Sequence, residues 1–126
     1  MKKNIKIVIV DDDENLRKML KIRLEAKGYD AIEAESGEYA LEIINKEKPD
    51  LILLDIAMPD MDGYEVCKLL KENEETKNIP IIFLTGLGGN LENKLQSLMV
   101  GGADYIQKPF DGNELLKRIK KILNGG

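Results

Sequence analysis

Apolar and polar positions along this chain alternate between two rhythms. Five short runs carry strand-type patterning, at 5–10, Asp30–Ala34, Leu51–Asp55, Ile81–Thr85 and Asp104–Gln107. The first, third and fourth are nearly continuous apolar stretches, which predicts central strands covered on both faces. The second reads Ala31, Ile32, Glu33, Ala34, an alternation suited to a sheet edge. Between the runs the period becomes that of amphipathic helices. The first helix is predicted from about 14 to 27, burying Leu16, Met19, Leu20 and Leu24, with Gly28 as its stop. The second takes Ser36 as N-cap and buries Ala40, Leu41 and Ile44. The third runs from 64 to about 71, with Cys67 sharing a face with Gly63, Val66 and Leu70. A fourth carries Leu91, Leu95, Leu98 and Met99. The last opens with Asp111 and Glu114 in a capping-box arrangement and buries Leu115, Ile119, Ile122 and Leu123.

Strand followed by helix, five times over, predicts a parallel sheet between two helical layers, because crossovers between parallel strands are right-handed. In such a sheet the carboxyl ends of all strands lie on one rim. Asp11 and Asp12, Asp55, Thr85 and Lys108 fall at or just past those ends. Spread over nearly the whole chain, they are expected to meet in one crevice.

Composition narrows the picture. At 126 residues the chain has room for one core, and no repeat or linker divides it, so 1–126 reads as a single domain. A net charge of −4 argues against direct nucleic-acid binding, which rests on neutralising phosphates. The N-terminal apolar run is interrupted by Lys6 and stopped by Asp11, so it reads as a strand rather than a secretion signal. No stretch approaches the length of a membrane span, and the expected compartment is the cytoplasm. Cys67 is the single cysteine, which rules out an internal disulfide and reads as a core residue. Histidine is absent, so the chemistry must rest on carboxylates, hydroxyls and lysines. Lys117, Arg118, Lys120 and Lys121 read as the solvated face of the last helix.

The candidate chemistry follows from crowding. Carboxylates about 4 Å apart at an effective dielectric near 20 repel by roughly 4 kcal/mol per pair. Such a cluster must take up a proton or hold a cation, and all-oxygen ligation favours Mg²⁺ or a similar hard ion. A divalent ion would also ease the approach of an anionic phosphoryl donor to a carboxylate nucleophile. Asp13 reads as the N-cap of the first helix. Thr85 followed by Gly86 offers a hydroxyl beside open backbone, and Pro109 restricts the backbone of Lys108. Gly63 reads as serving the turn into the third helix, while Gly88-Gly89 loosens the segment before the fourth.

Four motifs then coincide in order: Val10-Asp11-Asp12; Leu54-Asp55-Ile56-Ala57-Met58-Pro59 with Asp62-Gly63; Leu84-Thr85-Gly86; and Tyr105-Ile106-Gln107-Lys108-Pro109-Phe110. On these residues the chain resembles the receiver domain of two-component response regulators over essentially its whole length. The resemblance implies a flavodoxin-like (βα)5 fold of three layers with strand order 2-1-3-4-5. It implies that Asp55 accepts phosphate from a histidine kinase, a histidine phosphotransfer protein or a small phosphodonor. Asp11, Asp12, Asp55 and the backbone carbonyl of Ala57 would hold Mg²⁺ or Mn²⁺, with Asp12 as a direct ligand. Thr85, Gly86 and Lys108 would bind the phosphoryl oxygens. Thr85 and Tyr105 would form the switch, with Tyr105 filling space that Thr85 vacates. The face of the fourth helix, fifth strand and fifth helix would then engage a downstream protein. Apart from its own phosphorylation and dephosphorylation, no enzymatic activity is implied. Ala57 and Leu87 offer nothing polar to orient hydrolytic water, so slow dephosphorylation is expected.

Three other readings compete. An aspartate-nucleophile phosphatase would want an acid two residues after the nucleophile, where Ala57 stands. A flavin carrier would want a Ser/Thr/Gly-rich phosphate loop after the first strand, where three acids stand instead. A module retained purely for docking would not need the acidic site intact. The chain ends at Asn124-Gly125-Gly126, so output is expected to pass through association with another protein.

Overall fold

A computed structural model of the chain describes residues 4–86, 96 and 99–125. Its strands are β1 (Lys6–Val10), β2 (Asp30–Ala34), β3 (Leu51–Asp55), β4 (Ile81–Thr85) and β5 (Asp104–Gln107). They alternate with helices α1 (Glu14–Ala26), α2 (Gly37–Glu47) and α3 (Gly63–Glu72), and a C-terminal helix (Gly112–Leu123) follows β5. All strand pairs are parallel, in the order β2-β1-β3-β4-β5. This is the doubly wound, flavodoxin-like architecture expected, with β2 at an edge. Among the described helices, none is long and apolar enough to cross a membrane.

The continuous apolar strands are explained by two cores, one on each face of the sheet. Val8, Val10, Ile52, Leu54, Ile81 and Phe83 pack with Ala40 and Ile44 of α2 and Val66, Cys67 and Leu70 of α3. Their immediate neighbours Ile7, Ile9, Leu51, Leu53, Ile82 and Leu84 pack with Leu20 and Leu24 of α1 and Leu115 and Ile119 of the C-terminal helix. Side chains alternate across a strand, so serving two cores requires every position to be apolar. Each such side chain contributes about 1.5–3 kcal/mol on burial.

The helix ends follow local chemistry. Asp13, Ser36, Asp62 and Asp111 each accept bonds from backbone N–H groups of the turn they precede. α1 closes in a Schellman turn: Gly28, at φ +90°, donates to Glu25 O, and Tyr29 donates to Leu24 O. The capping box expected at the last helix is half made, since Glu114 accepts from Arg118 instead.

Three expectations need correction. Met19 is exposed, and Arg17 is buried in α1 instead, beside Leu20 and Leu24. Met99, expected on a buried face, is 85% exposed. Arg118 is not simply solvated, because it donates to Asp104 and to the Tyr105 carbonyl. Leu91, Leu95 and Leu98 of the fourth predicted helix lie outside the described residues, as do Leu87 and Gly88-Gly89.

Candidate functional site

Register alone brings two acids together. Val10 pairs with Leu54, so Asp11 and Asp55, one residue further along, stand side by side at the carboxyl rim of β1 and β3. Both share the strand parity of the α1 face and both are buried. Asp12, next along, is exposed. Carboxylate oxygens of Asp11, Asp12 and Asp55 lie within 4.8 Å of one another.

Lys108 arrives from the far side of the sheet. Its backbone N–H donates to Thr85 O at 2.6 Å, which ties the residue after β5 to the end of β4. From there its ammonium donates to Asp11 Oδ2 at 2.7 Å and to Asp55 Oδ1 at 3.3 Å. Two buried carboxylates thus share one cation. Burial alone would pull the Lys108 ammonium down, but its bond and charge contact with Asp11, then with Asp55, hold it above the ordinary lysine value. Asp55 moves the other way from most ion-paired acids. Burial first, and then the Asp11 charge, push its carboxyl up to about 6, and Lys108 offsets only part of that.

The acidic cluster fits a hard divalent cation. Three carboxylates on one rim supply only oxygen donors, and one of them, Asp12, faces solvent. Ala57 is exposed in the loop two residues past Asp55, where a backbone carbonyl is the donor it has to offer.

Thr85 ends β4 fully buried, and its parity follows Ile81 and Phe83, on the sheet face opposite Asp55. Tyr105 packs against that same core. Its hydroxyl is buried and makes no hydrogen bond among the described residues. Burial, then the nearby Tyr64, raise the phenol above its usual value, and Thr85 counters in part. The Thr85 side chain is thus close enough to the phenol to favour its ionised form. Gly86 leaves open space, since a Cβ placed there would meet nothing within 4 Å.

Gly63 proves to be required by approach rather than by a turn. A Cβ there would sit 2.4 Å from Asp55 O, and the Gly63 N–H donates to Ile56 O at 2.8 Å. The backbone after Asp55 is thereby pressed against the start of α3.

Sequence reading missed two residues. Asp60, in the loop after Asp55, accepts from Gly37 N–H at 3.3 Å and Glu38 N–H at 3.0 Å, adding a second cap to α2. Those backbone bonds, that of Glu38 first, hold its carboxyl below the usual range. Nothing local distinguishes it from a turn acid. Arg17 donates from Nη1 to Asp11 O at 2.8 Å and from Nε to Glu33 Oε1 at 3.0 Å. A cation on the buried stripe of an amphipathic helix was the available signal.

Residues 7–120 match the family model described as the response regulator receiver domain. The phosphate regulon transcriptional regulatory protein PhoB of Pseudomonas aeruginosa is 47% identical over 93% of this chain and 51% of its own length. The alkaline phosphatase synthesis transcriptional regulatory protein PhoP of Bacillus subtilis is 43% identical over 95% of this chain and 49% of its own. The chain thus spans about half the length of these curated relatives. A crystal structure of a response regulator receiver domain protein (CheY-like) from Methanospirillum hungatei superposes with a TM-score of 0.91 at 34% identity, covering 98% of this chain and 96% of that one.

Proposed function

This chain belongs to the response-regulator receiver family, with the phosphoacceptor role of two-component signalling, and on that premise we propose that Asp55 is the residue phosphorylated. Response regulators of this family are phosphorylated by histidine kinases and act on downstream targets. The observation that carries the assignment is the shared cation: Lys108 Nζ bonds both Asp11 and Asp55, two acids drawn from different strands. Residues 1–126 act as one receiver module, and the expected setting is cytoplasmic.

In the reaction we propose, an Asp55 carboxylate oxygen attacks phosphorus and the bond from phosphorus to the donor breaks. The donor's histidine nitrogen, or acetate when acetyl phosphate is the donor, leaves with the electron pair. Asp11, Asp12, Asp55 and the Ala57 carbonyl hold Mg²⁺ or Mn²⁺, which supplies charge neutralisation for the incoming phosphoryl group. Lys108, Thr85 and the Gly86 backbone then bind its oxygens. Without a divalent cation, burial and the Asp11 charge raise the Asp55 carboxyl to about 6, so a bound divalent ion would also favour the nucleophilic carboxylate.

A charge-assisted bond from Thr85 contributes about 1.5–3 kcal/mol. Taking a two-state switch from 1:99 to 99:1 needs about 5.5 kcal/mol, so Thr85 and Lys108 must act together. Tyr105 already has its hydroxyl buried beside Thr85. Movement of Thr85 toward the phosphoryl group therefore changes what the phenol faces, rather than admitting it from outside. That change is relayed to the Asp104–Arg118 surface of β5 and the C-terminal helix, where a downstream protein binds.

The test is incubation with Mg²⁺ and acetyl phosphate, followed by intact mass. The native chain should gain one phosphoryl group and Asp55→Asn none. An unmodified native chain under donor excess, or equal uptake by Asp55→Asn, would overturn the assignment.

A further inference from the structure

The α1 residue Arg17 is buried, yet neither packing nor the phosphoryl chemistry calls for a cation there. Its guanidinium makes two directional contacts. Nε meets Glu33 of edge strand β2, and Nη1 meets the carbonyl of Asp11. These contacts lie on two sides of one planar fork, a geometry that lysine cannot reproduce.

Asp11 is held at every polar atom. Its N–H donates to Ala34 O at 3.2 Å, at the end of the same edge strand. Its Oδ1 accepts from Asp13 N–H at 2.9 Å and its Oδ2 from Lys108 at 2.7 Å. Arg17 supplies the fourth contact, and that one has a consequence for the next residue. The Asp11 carbonyl and the Asp12 N–H belong to one rigid peptide plane. Fixing the oxygen orients the plane, and with it the position of the Asp12 Cα from which the exposed side chain leaves.

We propose that Arg17, braced by Glu33, is a positioning residue for cation binding: it sets the Asp11–Asp12 peptide so that both carboxylates face Asp55. The inference deepens the metal role given above and rests on it. Groups that orient metal ligands from behind typically change metal affinity 10–100-fold when removed. The sign separates positioning from simple charge. Deleting a nearby positive charge should tighten cation binding, whereas losing the brace should weaken it.

The experiment is Mn²⁺ binding to the full chain, read by electron paramagnetic resonance of the free ion, with Mg²⁺ as competitor. Arg17→Gln and Arg17→Lys should each raise the Mn²⁺ dissociation constant roughly tenfold. Glu33→Asp, which keeps its charge but shortens its reach, should give a smaller loss in the same direction. Glu47→Gln breaks the distant Lys6–Glu47 pair and should leave affinity unchanged. Raising the metal concentration should restore acetyl phosphate modification of the Arg17 variants to the native rate. Folded Arg17 variants with native or tighter Mn²⁺ affinity would overturn the proposal. Should both Arg17 variants fail to fold by circular dichroism, Glu33→Asp decides it, and unchanged affinity there is the overturning result. A native chain that binds no Mn²⁺ overturns the metal reading and this inference together. A chain that binds Mn²⁺ but takes up no phosphate overturns only the assignment of Asp55.

Discussion

Asp11, just past the end of interior strand β1, and Tyr105, inside edge strand β5, mark two corners of the site, and both carry buried polar atoms. At the β1–β3 corner, all four polar atoms of Asp11 are bonded, to Ala34, Arg17, Asp13 and Lys108. At the β4–β5 corner, the Tyr105 hydroxyl is buried with no bond among the described residues. A saturated buried network is held in one arrangement, because each broken bond leaves a desolvated group. An unsatisfied hydroxyl costs about 1–3 kcal/mol where it stands, which lowers the barrier to any alternative that gives it a partner. On the proposed reading, the first corner holds its chemistry still and the second is the one that changes.

The largest effect should come from unbalancing the saturated corner. Lys108→Met leaves Asp11 and Asp55 facing each other without their shared cation. Lys108 is half-buried, so the cost should fall at the low end for breaking a buried pair, about 3 kcal/mol by urea denaturation at pH 7. Added Mg²⁺ should recover much of it. Retention of native stability would mean that the two acids are less desolvated than their burial implies.

The next effect is pH dependence. Asp55 has a folded pKa of about 6, raised from 3.8. Between those values the folded state binds the proton more tightly than the unfolded chain. That contribution is fully present below about pH 4 and is lost as pH rises through 6, amounting to about 2–3 kcal/mol. In metal-free buffer Asp55→Asn should flatten this slope, while Tyr105→Phe should not. A slope surviving in Asp55→Asn would assign the titration to another group.

The smallest effect tests the unsatisfied corner. Tyr105→Phe removes a buried hydroxyl that has no bond among the described residues and should stabilise the fold by about 1 kcal/mol in thermal melts. A loss of similar size would show that the phenol holds a bond to Thr85 in solution.

Much of this was legible in the sequence. Period-two and period-3.6 patterning located the five strands and the described helices, and Asp13, Ser36 and Asp111 announced their helix starts through N-capping chemistry. These are local properties, set by neighbours within one or two turns. Even the convergence of Asp11, Asp55 and Lys108 was readable, because parallel strands share one carboxyl rim. The order of the motifs then carried the family.

What only tertiary structure decided were contacts between segments remote along the chain. The α1 stripe would accept Met19 or Arg17 on hydrophobic spacing alone. Arg17 is buried because Glu33 and the Asp11 carbonyl wait for it there, and Met19 is left facing solvent. Gly63 reads as a turn glycine in the sequence, whereas in the fold the Asp55 carbonyl stands where its Cβ would be. Patterning dictates which face of an element is buried to within a residue or so. Which polar group may follow the apolar ones inside depends on the partners that other elements bring, and those are set by strand order and register.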